Sequence, residues 1–313
     1  MHLDPALSIT GLVVGLLVGL TGMGGGALLT PILVLVFGVQ PLAAISSDLV
    51  TSLVMKPVGA VVHLRGHTVQ TGLLGWLALG AVPSGFLGAV LIGHLGQSAA
   101  VQHNLKIAIG VALVASVAST VIRLLLDRRA GHRGDPPPLV VRPALTVAIG
   151  VVGGIAVGMT SVGAGSLVIA LLLLVYPRLK PAQLVGTDIV QAIPLVAAAA
   201  LGHLLFGDVQ FGVTASLLVG ALPGVYLGAR LSALAPAGFT RPVLCGVLLA
   251  SALALLSVPM PALVAAPAAA LLGTYALGRP RSVAVAEREP ALIPSAIVRG
   301  VSRAHGGRAW WDG

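Results

Sequence analysis

Between Ala6 and Ser47 the chain carries no Asp, Glu, Lys or Arg. That run exceeds the roughly 20 apolar residues needed to cross a bilayer as a helix. Its middle, GLTGMGGGALLTP at residues 19–31, is too rich in glycine for one straight helix. Backbone polar groups must be satisfied inside hydrocarbon, so such a break is tolerated only against protein or a watery cavity. The rest of the chain is of the same kind, 57% hydrophobic and 9% charged with mean hydropathy +1.04. Soluble domains carry about a quarter charged residues. These features predict an all-α polytopic membrane protein; a β-barrel would show short alternating strands.

Lys and Arg number 18 against nine Asp and Glu. The excess falls in loops and in the tail, where it orients a membrane protein rather than binding nucleic acid. The start, MHLDPALSITG, lacks the basic region of a cleaved signal. A single cysteine, Cys245, excludes a disulfide framework and a CxxC metal site, and no cofactor motif is present.

Apolar runs lie near 6–37, 43–63, 69–93, 104–126, 143–177, 182–205, 210–231, 239–257 and 260–278. Residues 127–142, DRRAGHRGDPPPLVVR, read as an Arg- and Pro-rich cytoplasmic linker. It separates a first transmembrane repeat, 1–126, from a second with an extra C-terminal helix, 143–278. The basic tail 279–313 has the composition of a poorly ordered segment.

The two halves repeat. GLTGMGGGAL at Gly19 aligns with GMTSVGAGSL at Gly158, and Pro41, Asp48, His63, Pro83 and Gly88 pair with Pro181, Asp188, His203, Pro223 and Gly228 at one offset. Linker and tail are both basic, so both belong on the cytoplasmic side and an even number of crossings separates them. The count is even only if 143–177 turns back at its glycines. Arms of about 15 residues span roughly 22 Å, short of about 30 Å of hydrocarbon. We therefore expect two re-entrant hairpins and about seven full spans, in inverted repeats of the kind found in secondary transporters. The N-terminus is expected outside the cytoplasm and the tail inside.

The turns Gly22, Gly24, Gly25 and Gly26, and Ser161, Gly163 and Gly165, then meet near the bilayer midplane. Each begins a helix whose free N–H groups and positive dipole end suit an anion. The alternative role is close helix packing by small residues, as in GxxxG contacts.

GLTGMGGGALLTP followed by GVQPLAAISSDLVTSL, with the second copy GMTSVGAGSL and LKPAQLVGTDIV, resembles the TauE/SafE sulfite exporter family over about residues 8–257. The resemblance implies movement of small sulfur-containing anions such as sulfite, sulfoacetate or thiosulfate, usually coupled to an ion gradient. It carries the glycine motif to Gly22, Gly24, Gly25, Gly26, Gly163 and Gly165, and the helix-start motif to Ser46-Ser47 and Gly186-Thr187. The chain departs from the usual pattern in placing Asp48 and Asp188 after those motifs and Lys56 within a span.

Ionisable residues inside a membrane are expensive and need a reason. Asp48 and Asp188 are candidates for proton coupling, or else first-turn carboxylates facing the helix dipole. Lys56 lies two turns after Asp48, and Val196 stands at its equivalent. It lies too deep to snorkel easily and would face a cavity, attracting the anion or neutralising Asp48. Gln191, one turn after Asp188, offers a hydrogen bond to an oxyanion. His63 and His203 fall at segment ends and read as polar termini. No HExxH, GxSxG or Walker sequence occurs.

The expectation is a secondary transporter of a small sulfur-containing oxyanion in the inner or plasma membrane, working by alternating access and coupled to protons or sodium. Its partners are that anion, the coupling ion and the lipid bilayer. The alternatives are an anion channel built on the same broken helices, an intramembrane enzyme or a non-transporting scaffold.

Overall fold

The computed structural model describes residues 3–21, 25–65, 69–95, 97–129, 140–163, 165, 167–177, 179, 181–231 and 237–278. Eleven helices account for them: α1 (Pro5–Thr21), α2 (Gly26–Leu35), α3 (Pro41–Arg65), α4 (Thr71–His94), α5 (Ala99–Arg129), α6 (Pro143–Thr160), α7 (Leu167–Val175), α8 (Pro181–Phe206), α9 (Phe211–Leu231), α10 (Ala237–Leu255) and α11 (Met260–Gly278). Among the described residues five helices are long and apolar enough to cross a membrane: α4, α6, α9 and most of α5 and α8. The chain is thus an all-helical polytopic membrane protein. Helix α5 continues through the first three residues expected to be linker, and the tail 279–313 lies outside the described residues.

The arms at the glycine breaks are unequal, where near-equal ones were expected. Helices α1 and α6 have 17 and 18 residues, α2 and α7 only 10 and 9. At 1.5 Å per residue the second arms reach about 15 Å, half the hydrocarbon thickness. Helix α6 alone is long enough to cross, yet the chain comes back to where α6 began. Tyr176, directly after α7, has its hydroxyl 2.6 Å from Thr146 Oγ1 and accepts the Arg142 N–H at 2.8 Å. Both ends of this helical hairpin therefore sit at the same level.

The most extensive helix pairings are α1 with α9 and α4 with α6, and glycines make both. Gly11 lies against the backbone of Leu217 and Ala221, and Gly150 against that of Leu77 and Ala81. On the partner helices Gly220 meets Ser8 and Leu12, and Gly80 meets Val147 and Val151. Gly11 and Gly150, like Gly220 and Gly80, occupy positions that the sequence alignment of the halves expects to match. Between the two pairs, α3 packs against α8, which brings the helices carrying Asp48 and Asp188 together.

Close backbone approach requires the missing Cβ here. A Cβ at Gly154 would collide with Ala81 and Ser84, whereas one at Gly75 meets nothing within 4 Å. Gly154→Ala is expected to destabilise by about 1–3 kcal/mol. Gly75→Ala should be neutral or stabilise by up to about 1 kcal/mol through helix propensity. Melting temperatures of the two purified variants check this; equal shifts would contradict the packing.

Candidate functional site

The site grows from one carboxylate. Asp48, on the buried face of α3, is fully enclosed. Its Oδ2 accepts hydrogen bonds from Thr30 Oγ1 at 2.7 Å and Ser161 Oγ at 2.8 Å. Its Oδ1 accepts one from Ser52 Oγ at 3.2 Å. Three segments supply these hydroxyls. Thr30 comes from α2, Ser52 from one turn further along α3, and Ser161 from the break after α6.

Local backbone explains why Ser161 can reach. Helix α6 stops at Thr160, and Ser161 caps it with φ 59°, a left-handed conformation rare outside glycine. Its amide still closes the last turn on the Val157 carbonyl at 2.8 Å, while its side chain leaves the helix axis. Gly163 and Gly165 continue the break at φ 120° and 103°. Such dihedrals are strained for any residue with a Cβ. The Gly163 carbonyl then accepts the Leu167 amide at 3.2 Å and starts α7.

The first break behaves differently. Gly25 has ordinary helical dihedrals, φ −59° and ψ −30°, and its carbonyl takes the amides of Leu28 and Leu29 at 2.9 Å. Gly26 is glycine for space. A Cβ there would run into the Ser161 carbonyl oxygen and come within 2.7 Å of Ser161 Oγ. The start of α2 and the end of α6 are therefore in direct contact, and Ser161 at that contact also reaches Asp48. Gly22 and Gly24, also expected at this tip, lie outside the described residues.

The remaining candidates divide into two groups. Lys56 is half-buried on α3 and acts electrostatically on Asp188 first and on Asp48 second. Asp188 is buried on α8, and one turn on, Gln191 is fully enclosed, with neither amide atom hydrogen-bonded among the described residues. These polar groups cluster where α3 and α8 meet. The equivalents of Thr30 and Ser52 in the second half are apolar, so the two aspartates occupy unlike surroundings: hydroxyls around Asp48, a lysine near Asp188.

Ser46, Ser47 and Thr187 hydrogen-bond to connections and neighbouring helices. Ser47 Oγ accepts the Gln210 amide at 3.1 Å, and Thr187 Oγ1 accepts the Gln70 amide at 2.9 Å. Each fastens the loop leading into α9 or α4, again as an equivalent pair. Ser46 Oγ lies 2.8 Å from both the Leu42 carbonyl and His203 Nδ1. The sequence reading of His203 as a polar terminus is corrected: in the last turn of α8 it is fully buried, and Nε2 donates to the Gly158 carbonyl at 2.8 Å. It ties α3, α8 and α6 together below the Ser161 break. The His63 side chain lies outside the described residues.

Thr30 and Ser52 escaped sequence reasoning. Ser52 had a signal, four residues after Asp48 and so on the same helix face. Thr30 had only its place at the end of the glycine motif.

The family described as "Sulfite exporter TauE/SafE" matches residues 7–255. The chain is 41% identical over 258 residues to the Bacillus subtilis (strain 168) "Probable membrane transporter protein YjnA", covering 80% of this chain and 99% of that relative. It is 26% identical over 245 residues to "Probable membrane transporter protein YdhB" of the same organism, covering 75% and 95% respectively. No solved structure matches.

Proposed function

The chain belongs to the sulfite exporter TauE/SafE family of membrane transporters, and on that premise we propose that it carries a small sulfur-containing oxyanion across the cell membrane by alternating access. The observation that carries this reading is the contact between Gly26 and Ser161. Two glycine-rich breaks from separate halves of the sequence converge there, each followed by a helix start that favours negative charge.

The doubled α1–α9 and α4–α6 contacts support two repeats, and the return of Tyr176 to the start of α6 supports a re-entrant second hairpin. With linker and tail cytoplasmic by the charge rule, the repeats are inverted and the N-terminus is extracytoplasmic. The anion binds at the tips of the two hairpins, with Lys56 supplying attraction and Gln191 an amide. Alternating access follows when the hairpins and the α3–α8 pair expose that point to one side at a time. Coupling to a cation gradient drives the cycle.

Gln191 gives a test with opposite signs. Leucine there removes a buried amide with no hydrogen-bond partner among the described residues, which should raise stability by about 1–3 kcal/mol. It also removes a hydrogen bond to the charged substrate worth roughly 1.5–3 kcal/mol, so anion affinity should fall about tenfold to a hundredfold. Melting temperature and sulfite binding measured on Gln191→Leu check both. Unchanged binding would remove Gln191 from the site.

The function itself is tested in proteoliposomes by uptake of labelled sulfite, thiosulfate and sulfoacetate against a preloaded unlabelled pool. A carrier accelerates exchange when the opposite side is loaded; a channel does not. Absence of uptake for all three would overturn the sulfur-oxyanion assignment.

A further inference from the structure

We propose that Asp48, Thr30, Ser52 and Ser161 form a binding site for a sodium ion, and that this ion is the one coupled to anion transport. The inference rests on the transporter reading above and names the coupling ion and its place.

The donor set selects the cation. Five side-chain oxygens converge: both carboxylate oxygens of Asp48 and the hydroxyls of Thr30, Ser52 and Ser161, the hydroxyls 2.7, 3.2 and 2.8 Å from the carboxylate. Carboxylate and hydroxyl oxygens are hard donors that suit alkali and alkaline-earth cations. Among the described residues no group of three His, Cys, Asp or Glu comes together, so nothing favours a transition metal. A single carboxylate in the set matches one positive charge rather than two.

A bound cation asks only for rotation of the hydroxyl protons: Thr30, Ser52 and Ser161 turn them away from Asp48 and present lone pairs.

Charge points the same way. Asp48 and Asp188 share the influence of one half-buried lysine, Lys56. That leaves an enclosed carboxylate in the membrane interior, where uncompensated charge is costly. The end of α6 adds to the deficit. Its carbonyl terminus, the negative end of the helix dipole, lies one residue from the Ser161 hydroxyl that touches Asp48. Broken-helix transporters place cations at such ends.

Coupling follows from the position. The site is built from one hairpin's second arm, the break in the other hairpin, and α3 between them, so a bound cation holds all three together. It also cancels the negative charge beside the start of α2, where the oxyanion arrives. Sodium therefore raises anion affinity, and by reciprocity the anion raises sodium affinity by the same factor.

The test uses the purified full chain in detergent, without added anionic substrate. Sodium chloride, potassium chloride and choline chloride are titrated at constant ionic strength and constant pH while melting is followed. A saturable rise in melting temperature is expected for sodium alone. Thr30→Val, which keeps the side-chain shape, should weaken apparent sodium affinity at least tenfold, and Asp48→Asn should abolish the shift. If Asp48→Asn fails to fold, Thr30→Val and Ser161→Ala decide the matter. Equal shifts for all three salts, or an unaltered sodium response in Thr30→Val, overturns the site. So does sulfite uptake in proteoliposomes that follows a pH gradient and ignores sodium, a result that leaves the transporter reading intact. Sodium binding in a protein that moves no sulfur oxyanion would instead spare this site and defeat that reading.

Discussion

Gly26→Ala is expected to lose about tenfold to a hundredfold in transport and to melt early, while Gly25→Ala, one residue away, stays near wild type. The two glycines share a motif and differ only in what surrounds them. At Gly26 an added methyl overlaps the Ser161 carbonyl oxygen and crowds its hydroxyl. The carbonyl is backbone held at the end of α6 and cannot swing aside. Relief requires the start of α2 and the end of α6 to part, which separates Ser161 from Asp48 and spoils the proposed anion site. Overpacking of this kind costs about 1–3 kcal/mol, and each 1.4 kcal/mol is roughly tenfold in a binding constant. At Gly25 the nearest atoms to a new Cβ are Ser52 Oγ at 3.4 Å, Leu29 Cδ1 at 3.5 Å and Met55 Cε at 3.7 Å, ordinary contacts. Its φ of −59° suits alanine. Uptake and melting of the two variants, side by side, check the claim. Equal damage at both positions would mean that helix interruption, rather than contact between the hairpins, accounts for the glycines.

Lys56→Met should be at least as damaging, and Asp188→Asn in the same chain should repair half of the damage. Removing the lysine leaves Asp48 and Asp188 without the basic side chain that acts on both. Lys56 is half-buried, so its loss should cost less than the about 3–5 kcal/mol of a fully buried pair, yet membrane yield and melting temperature should fall and transport should be lost. Neutralising Asp188 removes the stranded charge, and the double variant should recover yield and melting. Its sulfite affinity should stay low, because the positive charge that attracts the anion is still absent. Full recovery of affinity would confine Lys56 to a structural role. No recovery of stability would show that Lys56 answers to Asp48 rather than to Asp188.

Much of the architecture was legible in the sequence because it follows from local chemistry. Charge-free runs marked most of the helices, while the matched Pro, Asp, His and Gly positions are what the proposed doubling rests on. The Gly-rich stretches gave the two breaks, and Ser161, Gly163 and Gly165 do take positive φ there. The purpose of individual glycines was not legible. Gly25 and Gly26 look alike on paper, yet only Gly26 needs to lack a Cβ, because the Ser161 carbonyl comes from a segment more than a hundred residues away. Thr30 and His203 were obscured for the same reason, since their partners Asp48, Ser46 and Gly158 are brought to them by packing. Ser46, Ser47 and Thr187 illustrate the reverse. A hydroxyl near a binding motif reads as a ligand, but it also satisfies loop amides that a membrane interior cannot leave bare, and these three are engaged that way.

The central claim is that an oxyanion binds where the two glycine breaks meet. Selenite, the heavier isostere of sulfite, makes that location measurable through its anomalous scattering in crystals of the full chain grown with sodium present. The account predicts a selenium peak bordered by the first turn of α2 at Gly25 and Gly26 and by the break at Ser161 to Gly165, within reach of Gln191, and weakened by Gln191→Leu. A selenium peak elsewhere, lined by neither break, in protein that still transports sulfite, would contradict it.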